Sequence, residues 1–307
     1  MPGNPQLLSY INVLGKHIPV YSRGKGNIPL LVMGQSSLFK KPNFIPLELD
    51  NYFTLYFADI FEKPDLLAET YSRITLDDFT EAYEQIRLAL HLDRIALFAH
   101  SAGGVLALEY ANKYANHVLF NIIVATAPIW GETKTKLASS YFDNNSTNER
   151  KGILTKDREI APIPGESSFV HAYQARRAQF YYLPMRPSWL RLWDGINQDE
   201  GIVMHFFNLI QNYDVLGGTP KNPTFLALGL HDFSNPFYLW ADKLSGENSH
   251  FMYHIFDKSG HYPTIEEPKE FVGTLLDFTL KVGGLTNDQS VKSLPAFPSR
   301  SLTHGLQ

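Results

Sequence analysis

Arg94-Ile95-Ala96-Leu97-Phe98-Ala99-His100-Ser101-Ala102-Gly103-Gly104 is the stretch from which the fold is read. After Arg94 it opens as a short apolar run, the pattern of a buried strand. Ala102 to Tyr114 continues as a helix rich in small residues, and Val118 to Ala125 is a second buried run. Strand, helix and strand in succession imply a right-handed crossover between parallel strands. Ser101 then falls on the sharp turn between strand and helix, its hydroxyl thrust out at the carboxyl edge of the sheet. Such a turn crowds two backbones together, so the positions two before and two after it must be small. Ala99 and Gly103 meet that demand, and Gly104 lets the helix pack closely. The turn is also a helix N-terminus, where the amide of Ala102 points at any anion that develops.

Working outward, Tyr10 to Leu14 and His17 to Tyr21 alternate around Gly15-Lys16 and read as a β-hairpin. Ile28 to Met33, ending at Gly34, and Tyr52 to Ile60 read as further strands. Asp77 to Leu90 carries Phe79, Ala82, Tyr83, Ile86 and Leu90 at steps of three and four, a helical stripe with Thr75 as N-cap. Thr224 to Leu228, Phe251 to Phe256 and a helix from Pro268 to Leu280 resume the alternation. Between Pro128 and Pro223 it breaks. That stretch is polar around Asp143 to Lys151, where paired sequons at Asn144 and Asn145 read as a loop, and then becomes aromatic at helical spacing. The expected fold class is α/β: a mostly parallel sheet with helices on both faces and a largely helical insertion. The expected units are a core of 1–127 and 223–284, a helical cap of 128–222, and a tail of 285–307 rich in Ser, Pro and Gly.

Composition narrows the chemistry. The 307 residues carry 27 Lys and Arg against 31 Asp and Glu, a net charge of −4 with no polybasic block, so nucleic acid and acidic membranes are not the expected partners. No cysteine is present, which excludes disulfides, thiolate nucleophiles, zinc ribbons and iron–sulfur clusters. Met1-Pro2-Gly3-Asn4-Pro5 lacks the basic start and apolar run of a signal peptide, and no uncharged apolar run approaches the length of about 18 residues that spans a bilayer. A cytoplasmic protein acting on a small molecule is expected; its oligomeric state is not readable.

Ala99-His100-Ser101-Ala102-Gly103-Gly104, followed by Val105-Leu106-Ala107-Leu108-Glu109-Tyr110-Ala111, resembles the nucleophile elbow of the α/β-hydrolase superfamily. It is similar to the Gly-His-Ser-x-Gly-Gly form of lid-bearing proline iminopeptidases and esterases, with Ala99 in place of the first glycine. The family order of Ser, acid, His implies an acid and a base downstream. Asp232 follows Gly229-Leu230-His231 and precedes Phe233-Ser234-Asn235-Pro236, which resembles the acid loop. His261 lies in Gly260-His261-Tyr262-Pro263, which resembles the loop of the catalytic imidazole. The resemblance also implies an oxyanion donor after the strand at 28–33. The family has His-Gly there and this chain has Met33-Gly34-Gln35-Ser36, so the donor by position is the amide of Gln35. Asp59-Ile60-Phe61-Glu62-Lys63-Pro64 replaces the family's Asp-x-Arg-Gly-x-Gly.

Each residue also has a plainer role. Ser101 alone reads as a helix N-cap, and Asp232 as the cap of a helix opening near Pro236. His250, His254 and His304 compete with His261; the first two have metal-pair spacing, but Met252, Tyr253 and Ile255 argue for strand. His100 reads as packing behind the serine, and His231 as exposed or supporting.

The expected activity is hydrolysis of an ester, lactone or amide through an acyl-enzyme, with Ser101 as nucleophile, His261 as base, Asp232 as its carboxylate, and the amides of Ala102 and Gln35 on the oxyanion. No metal or organic cofactor is required. The alternatives are an aminopeptidase similar to proline iminopeptidases, needing a cap carboxylate such as Glu132, Glu166, Asp194, Asp199 or Glu200, or a ligand receptor or lyase on the same fold. Phe169, Tyr173, Phe180, Tyr181, Tyr182, Trp189, Trp193, Phe206 and Phe207 are expected either to roof an apolar pocket or to form the cap's own core.

Overall fold

β1 (Gln6–Val13), β2 (Lys16–Gly24), β3 (Ile28–Met33), β4 (Phe53–Ala58), β5 (Ile95–His100), β6 (Val118–Val124), β7 (Thr224–Gly229) and β8 (Phe251–Phe256) form one sheet in the order β1-β2-β4-β3-β5-β6-β7-β8. β2 pairs antiparallel with β1 and β4, and every pair from β4 across to β8 is parallel. The computed structural model describes residues 3–41, 44–63, 68–162, 168–186, 192–215, 221–244 and 250–283, with the side chains at 68–69, 168–169 and 242–243 excepted. The tail at 285–307, with His304, and also Glu166, Trp189 and the side chain of Phe169 lie outside the described residues.

Strand residues alternate between the two faces. Leu31, Met33, Leu97 and Ala99 pack with Phe79, Tyr83 and Ile86 of the helix Leu76–Ala89 and with Val105 and Leu108 of the helix Gly103–Lys113. Leu30, Val32, Ala96 and Phe98 belong to the opposite core, with Phe271, Leu275 and Phe278 of the helix Pro268–Lys281. β5 is central and buried along its whole length, which is why its sequence is a continuous apolar run. Helix Leu76–Ala89 starts at a capping box: Thr75 Oγ1 accepts from the Asp78 amide, and the Thr75 amide donates to Asp78 Oδ2. Such caps contribute about 1 kcal/mol.

Two local expectations need correction. The hairpin turn is Leu14-Gly15, both at positive φ (52° and 73°), and Lys16 is the first residue of β2, opposite Val13. Lys16 is drawn into the strand because its amine is buried, donating to Asp199 Oδ2 at 3.2 Å and to the Ile60 carbonyl. The polar stretch at 143–151 is not a loop. Asn144 and Asn145 end the helix Glu132–Asn145, and Thr147 caps the helix Asn148–Arg158 by accepting from the Arg150 amide. Polar faces there meet solvent, so polarity marked exposure rather than irregular backbone.

Between β6 and β7 the chain also forms the helices Ser168–Gln174, Arg177–Phe180 and Glu200–Leu209. This insertion is bonded to the core on two sides. On one, Asp199 N donates to Phe61 O and Lys63 N to Asn197 O. On the other, His261 N donates to Phe180 O and Phe233 N to Gln179 O. Among the described residues no helix is long and apolar enough to cross a membrane.

Candidate active site

Ser101 sits between β5 and the helix Gly103–Lys113 with φ at +53°, a left-handed conformation that costs a residue with a Cβ about 1 kcal/mol. Three bonds hold it there. Its amide donates to Val124 O at 2.9 Å, while its carbonyl accepts from Thr126 Oγ1 at 2.8 Å and from the Gly104 amide at 3.0 Å. The small residues around it are a steric necessity. A Cβ on Gly104 would stand 2.1 Å from Thr126 Oγ1, and one on Gly103 would press on Met33 O and Gly34 at 3.3–3.4 Å. Gly34 itself has φ +80° and directs the chain into the loop carrying Gln35.

Asp232 and His261 leave β7 and β8 at the same sheet edge, and both are almost wholly buried. His261 Nδ1 lies 2.7 Å from Asp232 Oδ2, while Asp232 Oδ1 accepts from the amides of Ser234 and Asn235 at 2.9 and 2.8 Å. The carboxylate, with both oxygens occupied, holds the imidazole with its proton on Nδ1. Nε2 of His261 is buried and bonded to nothing among the described residues. It is left as a free acceptor.

The loop bearing His261 is fastened from beneath. Glu266 accepts from the amides of Gly260 (2.9 Å), Tyr262 (3.4 Å) and Tyr182 of the insertion (2.7 Å). Burial raises its carboxyl pKa to about 8, against the lowering effect of those amides. Phe180 packs beside the imidazole at a tilt of 30°, its ring centroid at 4.9 Å. His100 packs behind, stacked on Tyr262 at 4.8 Å and edge-on to His261 at 4.5 Å, with Nε2 donating to His261 O at 2.7 Å. Burial, reinforced by the field of His261, pushes its pKa well below the ordinary histidine value, so His100 is a neutral support.

Asn235 was overlooked in the sequence, where it read only as the opening of the next helix. Its Nδ2 donates to Ala125 O at 2.7 Å and reaches Ser101 Oγ at 3.5 Å. A sequence signal did exist: Asp232 is followed two and three residues on by Ser and Asn, the setting in which an aspartate caps its own turn and brings those side chains to one side.

The serine opens into a narrow pocket. Gln35, Ala102 and His100 lie along its floor with Ser101, and Phe39, Phe61, Tyr173, Val203, Phe206 and Phe207 supply apolar wall. Of the insertion's aromatics, Tyr173, Phe206 and Phe207 therefore line the pocket. Phe180, Tyr181 and Trp193 are core, with Tyr181 stacked on Tyr262 and Trp193 tilted against Tyr173. Tyr182 lies against His231, which is half-buried. Phe61 comes from the stretch that replaces the family's glycine-rich one. Asp59 anchors it by accepting from the Phe61 and Ser37 amides, both at 2.9 Å, and burial raises its pKa to about 6.

None of the described cap carboxylates lines the pocket. Asp199 caps the helix Glu200–Leu209 through the Ile202 amide and pairs with Lys16; Glu132 is exposed and pairs with Lys136 at 2.6 Å; Asp194 is exposed, and Glu200 lies in the first turn of its helix. His254 is in β8 and bonds Glu270 at 2.8 Å, a structural pairing away from the serine.

A family model described as the alpha/beta hydrolase family matches residues 47–274. AB hydrolase superfamily protein YclE of Bacillus subtilis (strain 168) is 31% identical over 255 residues, which is 79% of this chain and 88% of that protein. A proline iminopeptidase of Heyndrickxia coagulans is 27% identical over 213 residues, 66% of this chain and 73% of that one. Among solved structures, an esterase from Exiguobacterium antarcticum superposes with a TM-score of 0.63 at 17% identity, covering 89% of this chain and 99% of its own, and shares the fold. An eight-stranded, mostly parallel sheet, a family match over most of its length and a relative at this identity lead to one conclusion: the chain belongs to the α/β-hydrolase family.

Proposed function

We propose that the protein is a serine hydrolase that cleaves an ester, lactone or amide through an acyl-enzyme, and that the insertion at 128–222 is the lid of its site. The observation that carries the reading is a strained, half-buried serine on a strand–helix turn, at the same sheet edge as a buried Asp–His pair whose outer nitrogen has no partner among the described residues. In the proposed reaction His261 Nε2 takes the proton of Ser101 Oγ as the oxygen attacks the carbonyl. Asp232 stabilises the imidazolium, and the amides of Ala102 and Gln35 receive the oxyanion, each such donor contributing about 3 kcal/mol. His261 then protonates the leaving group, and water releases the acyl chain by the same steps in reverse. Asn235 Nδ2 steadies the serine oxygen between turnovers.

The pocket wall supports an apolar acyl group. An aminopeptidase would need a carboxylate for the substrate ammonium, and no acidic residue is among the described residues lining the pocket. A fluorophosphonate probe should label the wild type and not Ser101→Ala. Across 4-nitrophenyl esters from acetate upward, kcat/KM should rise by at most about fourfold per methylene until the pocket is full. An unlabelled wild type would overturn the reading.

A further inference from the structure

The order of the strands sorts what surrounds Ser101. The serine follows β5, Gln35 follows β3 beside it, and Phe61 follows β4 beyond that. Neighbouring strands stand about 4.8 Å apart, so the chain that leads to Phe61 leaves the sheet about 10 Å from the strand of the serine. Asp232 and His261 leave β7 and β8, on the other flank of β5. The pocket follows the first flank. Gln35, Phe39 and Phe61 line it together with residues of the insertion, whereas neither Asp232 nor His261 is among the described residues that do.

In the proposed reaction the base protonates the leaving group, which therefore faces His261. The acyl group then extends the opposite way, past Gln35 and toward Phe61. That direction is closed. Phe61 is only 2% exposed; its ring lies 5.4 Å from Phe206 and 5.6 Å from Phe79, which are themselves 5.4 Å apart. Phe79 is wholly buried on the helix Leu76–Ala89, so the main core backs this end of the pocket. Tyr173 and Phe207, by contrast, are half-buried. The backbone fixes the two rings as a unit. Phe61 N donates to Asp59 Oδ1 at 2.9 Å, and Phe61 O accepts from Asp199 N at 2.8 Å. Asp199 also caps the helix Glu200–Leu209, which carries Phe206, by accepting from Ile202 N at 3.2 Å. A close-packed wall of this kind resists even one added methylene.

We propose that Phe61 and Phe206 form a rigid stop at the end of the pocket and set the length of acyl chain the protein accepts. The inference rests on the hydrolase reading and refines its substrate class to short apolar acyl groups, selected by length on the acyl side. An extended octanoyl chain is nearly as long as the gap between the two strands before the Phe61 ring takes its share, so the limit falls short of it.

The test is a series of 4-nitrophenyl esters from acetate to octanoate. In the wild type kcat/KM should climb and then fall by about tenfold or more at one chain length, the scale of overpacking a rigid interior. Phe61→Leu and Phe206→Leu keep the wall apolar and shorten its reach. Each should move the break at least one carbon longer and raise kcat/KM for the first excluded ester, relative to acetate, by about 5- to 100-fold. Taking the ratio to acetate within one preparation cancels any loss of folded protein, so a merely structural role would leave it unmoved. Ethyl, butyl and hexyl acetates, lengthened on the alcohol side, should show no such break in the wild type. Three results overturn this inference while leaving a hydrolase in place: an acyl series without a break up to octanoate, a break confined to the alcohol series, or leucine variants that label with fluorophosphonate yet keep the wild-type break. A wild type that neither labels nor hydrolyses any ester overturns the hydrolase reading and this one with it.

Discussion

The φ of +53° at Ser101 separates the cost of holding the proposed nucleophile from its use. Ser101→Gly and Ser101→Ala both remove the hydroxyl, but only glycine relieves the left-handed backbone. The glycine variant should be the more stable by about 1 kcal/mol in urea unfolding, with fluorophosphonate labelling lost from both. Asp232→Asn should lower kcat by about 10⁴-fold, because the amide can stabilise the wrong tautomer of His261; a loss of two- or threefold would require another acid. Lys134 makes a prediction of opposite sign for stability. Burial lowers its folded pKa to about 8, against 10.5 for the free side chain. Between those values the unfolded chain holds a proton that the folded chain has lost, so stability should rise with pH across that window and bear the full cost below it. Lys134→Met should therefore stabilise the protein at pH 7 by about 1–3 kcal/mol and flatten the rise, as read from urea midpoints at pH 7, 8, 9 and 10.

At the scale of elements, the turn between β5 and its helix works by contact rather than flexibility. Gly104→Ala would drive a methyl into Thr126, whose hydroxyl also holds the Ser101 carbonyl. The expected cost is about 1–3 kcal/mol of stability together with a fall in kcat, and Thr126→Ser in the same chain should recover part of both by removing the methyl that Gly104→Ala meets at 2.6 Å. These elements were the legible part of the sequence. All eight strands and the helices on each face follow from apolar runs and steps of three and four, because burial at a fixed periodicity leaves a local imprint. What stayed hidden depends on distant partners. Lys16 looked like a turn residue until Asp199, 183 positions away, was in view. Asn235 looked like helix punctuation until Ser101 lay beside it. Motif order singled out Ser101, Asp232 and His261. Yet no local pattern distinguishes Phe206, on the pocket wall, from Phe180, against the imidazole.

For the whole molecule, the fully buried pair of Lys16 and Asp199 joins the first hairpin to the insertion. Removing one partner strands the other charge, so Lys16→Met and Asp199→Ala should each cost about 3–5 kcal/mol, while the double variant should be less damaged than their sum. Thermal unfolding of the four-member cycle measures the difference. The insertion reaches the loops of the proposed base and of the proposed oxyanion donor. Phe180 O receives the His261 amide at 2.5 Å, and Gln198 Oε1 receives the Gln35 side chain at 3.1 Å. A minimal catalyst therefore cannot be made by cutting 128–222 away and joining the ends. Excision would leave the core strands intact in sequence but free the loop of the proposed base and the loop of the proposed oxyanion donor together, so the trimmed protein should lose the proposed reaction. Engineering for size has to begin instead at parts of the chain that hold neither loop.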